Sequence, residues 1–314
     1  MGRDALDRLW CNKSMPILMT TPDAADLPRI AADLSGWQND DGTPHLHPGD
    51  LGWHSLVGAE RTAADLRVWS RNFTMVALGL LDKPDLLRIA MGPAAQDDDE
   101  LAYRIGADVK DPAAGVLAAG EAIIEARDAR SLRSFLATQG WIADDPWTAF
   151  QRDLSSPISR DRIERTELRV ETAGHEHAAA WLAVHWSAFK GTPFCDPDAQ
   201  RLLDRWSTMI GGPFAHLARP LIAFDREDNP VAVIMVWSAG PGRPGLIEPM
   251  GVHLDHRGRG YGAAVTLAGA AALQDMGSSS AVVVAENSNP GALAAYGAAG
   301  FTAGEPVADL KRSA

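Results

Sequence analysis

Apolar and polar positions form the clearest pattern in the second half of the chain. Val231–Trp237 is a continuous apolar run, as expected for a strand buried on both faces. Asp198–Ile210 instead carries its large apolar residues at helical spacing, which predicts an amphipathic helix. The elements predicted for this half are strand Leu168–Thr172, helices His177–Phe189 and Asp198–Ile210, strands Pro220–Phe224, Val231–Trp237 and Leu246–Leu254, helix Ala263–Met276, strand Ala281–Ala285, helix Pro290–Ala299 and a last strand region from Phe301.

The first half repeats this order more faintly. A helix followed by Gly140-Trp141 mirrors the helix followed by Gly300-Phe301, so we interpret the chain as a tandem repeat of one fold. The strands mixed with crossover helices predict an α+β fold with α/β/α layers. We predict domains at 1–155 and 164–314, joined by a polar linker within Ser155–Arg165. The first-half elements are strands Thr74–Leu81 and Leu86–Ala90, helix Asp98–Val109, strand Ala122–Ala126, helix Ala129–Thr138 and strand Trp147–Asp153.

Length and cysteine content fit this organisation. The 314 residues suffice for two compact domains. No apolar run approaches the ~20 residues that a membrane helix needs, and the first 20 residues lack the pattern of a signal peptide. Cys11 and Cys195 lie far apart in the sequence and form no metal-type pair, which favours a reducing, cytoplasmic environment.

The net charge of −12 restricts the partners that we expect. It disfavours nucleic acid and anionic membranes, because both would be repelled. The one tight basic cluster, His256–Arg259, has the size to contact one phosphate-bearing ligand. An acidic surface elsewhere favours a cationic partner such as an amine.

A glycine-rich segment between a predicted strand and a predicted helix carries the clearest chemical signal. Gly258, Gly260 and Gly262 alternate with larger residues, so the backbone can turn tightly and approach a ligand closely. The helix that follows would present free N–H groups and the positive end of its dipole to a pyrophosphate. The same run fits a loose dinucleotide pattern, with Glu286 about 20 residues downstream. That pattern normally follows the first strand of its domain, whereas several strands precede it here, which disfavours this alternative.

A second motif follows at Asn289. This residue is suited to cap a helix whose first position is Pro290, and Gly300 is suited to end it. The segment reads N-x-x-A-x-x-x-Y-x-x-x-G-F from Asn289 through Tyr296 to Phe301.

Together the two motifs resemble those of the GNAT superfamily of N-acetyltransferases, whose cofactor motif R-G-x-G-x-G appears here from Arg257 to Gly262. The resemblance implies two tandem GNAT-like domains, each with a mixed, mostly antiparallel sheet flanked by helices. It also implies acetyl-CoA as the cofactor and Tyr296 as the acid that protonates the departing thiolate. The cofactor-binding residues that it implies are Val252, His253 and Leu254 along the pantetheine arm, Arg257, Gly258, Arg259, Gly260, Tyr261, Gly262 and Ala263 around the pyrophosphate, and Asn289.

Glu248 is the predicted base for the attacking amine, because it lies four residues before Val252 and its burial would raise its pKa. A water relay through several polar groups is the alternative. The predicted function is acetyl transfer to a primary amine of a small acceptor, by direct attack in a ternary complex. A non-catalytic acyl-CoA-binding module and transfer of another acyl group remain open, as do a monomer and a homodimer.

The first half lacks the glycine motif. Pro93 and the acids Asp97 and Asp98 stand at the equivalent place, and they would disfavour a pyrophosphate. We therefore expect this half not to bind CoA, but to cover a sheet edge or close the acceptor cleft. The histidine pairs His45/His47 and His175/His177 have no third ligand nearby in the sequence, so no metal site is predicted.

Overall fold

The computed structural model describes residues 16–192, 194 and 196–313, so Cys11, Cys195 and residues 1–15 of the segment considered for a signal peptide lie outside it. None of the helices in these ranges combines the length and apolarity that crossing a membrane requires. The strands are β1 Leu18–Thr20, β2 Leu66–Arg71, β3 Thr74–Lys83, β4 Leu86–Met91, β5 Ala122–Glu125, β6 Ile142–Asp153, β7 Arg169–Thr172, β8 Ala218–Phe224, β9 Pro230–Trp237, β10 Gly245–Val252, β11 Ser280–Glu286, β12 Thr302–Ala303 and β13 Val307–Arg312. The α-helices are α1 Leu27–Trp37, α2 Pro48–His54, α3 Ala59–Ala64, α4 Asp99–Lys110, α5 Arg130–Thr138, α6 Asp161–Thr166, α7 Ala178–Lys190, α8 Asp196–Ile210, α9 Tyr261–Asp275 and α10 Pro290–Ala298.

The strands form one continuous sheet in the order β1-β2-β3-β4-β5-β13-β6-β11-β10-β9-β8-β7, and β12 pairs with β6. Only β4–β5 and β10–β11 pair in parallel, so the predicted mixed, mostly antiparallel α+β architecture is confirmed. Alternate residues of β9 enter different layers: Val233 and Met235 join the core that contains α7, while Ile234 and Val236 pack with α9. The long apolar run of β9 is thus buried on both faces, as its sequence predicts.

The two halves of the chain exchange their last strands. β13, at the end of the chain, lies between β5 and β6 of the first half. The Trp147–Asp153 part of β6 pairs with β11 of the second half. Each half therefore completes its sheet with a strand from the other, an arrangement that the sequence-based division at 155 and 164 did not include.

Elements before Thr74 were not predicted from the sequence. β1, β2, α2 and α3 are short, so their local patterns are weak. Helix α1 has apolar residues at helical spacing, at Leu27, Ile30, Ala31 and Leu34, and this signal was missed. The predicted linker also contains a short helix, α6, because Ile163 packs against the core beneath α9.

Helix α2 docks the first half directly onto the second through two glycines. Gly49 and Gly52 both lie against Trp237 of β9, which is fully buried. A Cβ added at Gly49 would lie 2.5 Å from the Trp237 Cβ, and one added at Gly52 would lie 2.7 Å from its Cε3. His47 caps this helix by accepting from the Gly49 N–H, 2.9 Å away. Its Nε2 then donates to the Pro244 carbonyl at 3.1 Å, which ties α2 to the loop before β10.

Gly52→Ala is expected to destabilise the protein by about 1–3 kcal/mol, because the methyl group would overpack the contact with Trp237. Urea unfolding of the intact chain measures this change. Gly36→Ala in α1 is the matched control, since its added Cβ would meet nothing closer than 3.8 Å. The control should be neutral or gain up to about 1 kcal/mol from helix propensity. Equal behaviour of the two variants would show that α2 does not dock as described.

Candidate active site

A cleft opens where the parallel strands β10 and β11 separate. Gly245 and Leu246 pair with Ala281 and Val282, but the strands pair no further. Beyond that point β10 continues to pair with β9, and β11 with β6. The edge of β10 that faces the gap therefore has unpaired backbone groups, which suit a ligand that binds as an added strand. The cleft has a volume of about 1400 Å³, and both halves of the chain line it.

One end of the cleft is a glycine turn leading into α9. Gly258 and Gly260 have φ of +78° and +81°, in the left-handed region that favours glycine. Gly260 is the N-cap of α9, and no side chain caps this helix. The first N–H groups of α9 therefore have no capping partner from the protein, and they carry the positive end of the helix dipole. Free N–H groups at a helix start can bind an anion, and a pyrophosphate at this turn stays a prediction.

Most of the predicted cofactor-binding residues lie together in this cleft. Within the described part of the chain, His253, Leu254 and Arg259 are not among its lining residues. Those that line it are Val252, Arg257, Gly258, Gly260, Tyr261, Gly262, Ala263 and Asn289.

Backbone and side-chain bonds explain why the residues around Arg257 are less available than predicted. The Leu254 N–H donates to Ser187 Oγ at 3.1 Å, so it is already engaged within the chain. The Arg257 guanidinium donates to the Ala188 carbonyl at 2.7 Å and thereby ties the turn to α7. The free strand edge available to a pantetheine arm thus ends near Val252.

Asn289 has the structural role that its sequence predicts. Its side-chain oxygen accepts from the Ala292 N–H at 3.1 Å and caps α10. The side-chain NH₂ remains at the cleft wall as a donor.

Glu248 lies on β10 at the point where the strands separate. Its backbone carbonyl accepts a bond of 2.8 Å from the indole N–H of Trp237, and its carboxyl group lies close enough to that of Asp50 of α2 for the two to interact electrostatically. The carboxyl group is enclosed by protein but partly exposed to the cleft. Burial, together with the negative charge of Asp50, raises the pKa of Glu248 to about 8, although Arg88 acts in the opposite direction.

The first half brings a chain of ion pairs to Glu248. Arg88 of β4 contacts Asp50 at 2.9 Å and Glu125 of β5 at 3.2 Å. Arg127 then contacts Glu125 at 3.4 Å and Asp309 of β13 at 3.2 Å. Burial alone would raise the pKa of Glu125, but the two arginines outweigh it and lower that pKa. These residues make the first half a wall of the cleft.

Sequence reasoning missed this group because its members are far apart in the sequence and match no motif. A signal was nevertheless present. Arg88 and Glu125 are single charged residues in the otherwise apolar segments of β4 and β5. A charge in a buried strand needs a partner, so such residues mark a paired or functional site.

Tyr296 lies on α10 and is buried against Phe150, with ring centroids 5.6 Å apart in an edge-on arrangement. It lines the same cleft as Glu248. Burial and the nearby Glu248 charge raise the pKa of Tyr296 to about 12. The phenol is therefore protonated at neutral pH and able to act as an acid.

The equivalent helix start in the first half is filled by the protein itself. Asp98 caps α4 by accepting from the Leu101 N–H at 2.9 Å, and Arg71 pairs with the same carboxylate at 2.5 Å. Its negative charge interacts with the positive end of the helix dipole, and the absence of CoA binding in this half stays a prediction.

The histidine pairs have other partners. His47 is held by Gly49 and Pro244, and His177 lies near Glu171 and Glu176. In the described ranges, no three or more potential ligand residues are grouped to hold a metal ion.

Comparison with known proteins finds similarity to one family in the region that contains this cleft. The model of the acetyltransferase (GNAT) family matches residues 179–301, which include Glu248, the glycine turn and Tyr296. A curated relative, mycothiol acetyltransferase from Thermobispora bispora, is 26% identical over 170 residues. The match covers 48% of this chain and 52% of the relative, so the chain spans about half the length of the curated relative that it matches.

Solved structures match almost the whole chain. A tandem GNAT protein from the clavulanic acid biosynthesis pathway has a TM-score of 0.62 at 14% identity and covers 95% of this chain and 98% of its own. A GCN5-related N-acetyltransferase from Sphaerobacter thermophilus has a TM-score of 0.55 at 17% identity, with coverage of 95% and 96%. At these identities the similarities establish the fold, and the fold includes both halves.

Proposed function

We propose that this chain, whose residues 179–301 form a GNAT acetyltransferase domain, transfers an acetyl group from acetyl-CoA to a primary amine of a small acceptor. One observation carries the proposal. The gap between β10 and β11 joins an anion-binding turn to two titratable groups, Glu248 and Tyr296, whose pKa values differ in the way that acid–base chemistry requires.

The cofactor would lie along the gap. The pyrophosphate would accept bonds from the N–H groups that follow Gly260, and the pantetheine arm would pair with the free edge of β10 as far as Val252. Asn289 would contact the arm with its side-chain amide. When bound, the cofactor supplies an activated thioester carbonyl.

Glu248 would then accept a proton from the acceptor, and Tyr296 would donate a proton to the leaving thiolate. An acceptor ammonium gives one proton to ionised Glu248, and the free amine attacks the thioester carbonyl to form a tetrahedral adduct. The carbon–sulfur bond breaks as Tyr296 gives its phenolic proton to the sulfur. The new amide nitrogen loses its second proton to solvent, and solvent restores the tyrosine. The products are an amide and the free thiol.

The charge of the residues that line the cleft supports a cationic acceptor. Acidic side chains outnumber lysine and arginine among the residues that line the cleft. Two of the basic residues in this lining are already neutralised by ion pairs. Arg88 is paired with Asp50 and Glu125, and Arg127 is paired with Glu125 and Asp309. A positively charged amine is therefore attracted toward Glu248.

Gly260→Ala is expected to weaken CoA binding by about tenfold or more, because alanine at φ +81° costs about 1–2 kcal/mol and distorts the anion turn. Gly277→Ala is the matched control. Gly277 follows the other end of α9 with φ +82°, so the strain is similar, but it does not line the cleft. Calorimetric titration with CoA measures both variants. Equal losses of affinity would contradict the proposed position of the pyrophosphate.

Screening a panel of primary amines with acetyl-CoA, with detection of free thiol, tests the function directly. Amine-dependent thiol release is the expected result. If the protein binds CoA but no amine raises thiol release above the rate of spontaneous hydrolysis, it is a CoA-binding module and not a transferase.

A further inference from the structure

A second cavity lies beside the cleft, under the linker helix α6. Its volume is about 200 Å³. The residues around it come from β6, the linker, α9 and the end of α10: Arg152, Ser159, Asp161, Arg162, Arg165, Leu267, Ala298, Ala299 and Gly300. We call it the arginine pocket.

The arginines of this pocket have unused donors. Arg152 bonds to the Ala299 carbonyl through one terminal nitrogen, while its Nε is buried without a hydrogen-bond partner. Arg162 and Arg165 form no ion pair with any carboxylate in the part of the chain that the structure describes. Asp161 is the one acidic residue around the pocket, so its lining carries a net positive charge in a protein of net charge −12. A buried guanidinium N–H without a partner calls for an acceptor.

The pocket adjoins the cleft. Arg162 and Ala298 line both cavities. The linker helix α6 packs on α9, and a Cβ added at Gly260 would lie 3.8 Å from the Thr166 side chain. A ligand held at the glycine turn can therefore extend beneath α6 into the arginine pocket.

We propose that the arginine pocket binds the 3′-phosphate of coenzyme A. This inference rests on the proposed function, because it assumes that the pyrophosphate lies at the turn following Gly258. Beyond the pyrophosphate, the ligand carries one more strongly anionic group, a phosphate monoester with a charge near −2. Its oxygens would accept charge-assisted bonds from Arg162 and Arg165. The linker between the halves thus recognises the cofactor as well as joining the domains.

The test compares CoA with 3′-dephospho-CoA by calorimetric titration of the intact chain. The natural protein is expected to bind CoA about tenfold more tightly, as charge-assisted bonds at a partly exposed site would give. In the double variant Arg162→Ala/Arg165→Ala this preference should fall to about twofold or less, with little change in the affinity for 3′-dephospho-CoA. The preference should also shrink with added salt, because the contacts are ionic.

Arg160→Ala is the matched control. Arg160 is exposed, belongs to the same linker and does not line the arginine pocket, so the variant removes one positive charge nearby but should keep the full preference. Equal affinity of the natural protein for the two ligands would overturn the inference and leave the proposed function intact. A preference that survives in the double variant would also overturn it. Binding of neither ligand would overturn the proposed function together with this inference.

Discussion

Tyr296→Phe is expected to lower kcat by about 100-fold or more while CoA affinity stays within about twofold, because a positioned general acid contributes at least that factor. The phenylalanine ring preserves the edge-on contact with Phe150, so the fold is retained. Only the proton donor for the thiolate is lost. Thiol release at saturating acetyl-CoA gives kcat, and calorimetry gives the CoA affinity.

Tyr103→Phe provides the matched control for this variant. Tyr103 is exposed on α4 in the first half, so its hydroxyl can be removed without touching the cleft. Its turnover should equal that of the natural protein. If Tyr296→Phe were as active as this control, a bound water would have to supply the proton and Tyr296 would only pack against the core.

Glu248→Gln is expected to reduce kcat/KM by about 100-fold at pH 8 and above, with a smaller loss at lower pH. The pKa of Glu248 is raised to about 8 by burial and by Asp50, so the natural protein has little ionised base at pH 6. The ratio of the two rates should therefore grow about tenfold per pH unit up to pH 8 and then level off. Titration of the acceptor amine cancels in this ratio when both proteins bind the ammonium form and water accepts its proton in the variant. A ratio that is constant from pH 6 to 9 would favour the water relay.

Asp50→Asn should move this profile to lower pH. The substitution removes a negative charge that raises the pKa of Glu248, and it leaves Arg88 with one carboxylate partner fewer, so that Arg88 favours the ionised form of Glu248 more strongly. The expected result is a rate ratio that levels off below pH 8. An unshifted profile would mean that α2 does not influence the base.

Unfolding measurements separate these effects from loss of structure. Because the folded-state pKa of Glu248 is raised from 4.5 to about 8, its protonated form favours folding below pH 4.5, and this contribution is lost as pH rises through about 8. Glutamine cannot ionise, so Glu248→Gln should be at least as stable as the natural protein at pH 9. Lower activity with equal or greater stability would assign the loss to chemistry.

The sequence alone determined the features that depend on neighbouring residues. The turn at Gly258–Gly262 needs left-handed backbone at two positions, and glycine supplies it locally. The Asn289 cap and the buried run of β9 likewise follow from short segments, so their patterns were sufficient. The mixed sheet and the match to the GNAT family model over residues 179–301 could be predicted for the same reason, since the motifs are continuous in the chain.

Only the tertiary structure decided how the halves combine. The exchange of β6 and β13 depends on pairing between residues more than 120 positions apart, which no local pattern encodes. The surroundings of Glu248 depend on the same long-range contacts, because Asp50 reaches it only when Gly49 and Gly52 let α2 approach Trp237. Burial and nearby charges set a pKa, and both are properties of the folded chain. The sequence could therefore nominate the base, but the assembled halves determine the pH at which it can work.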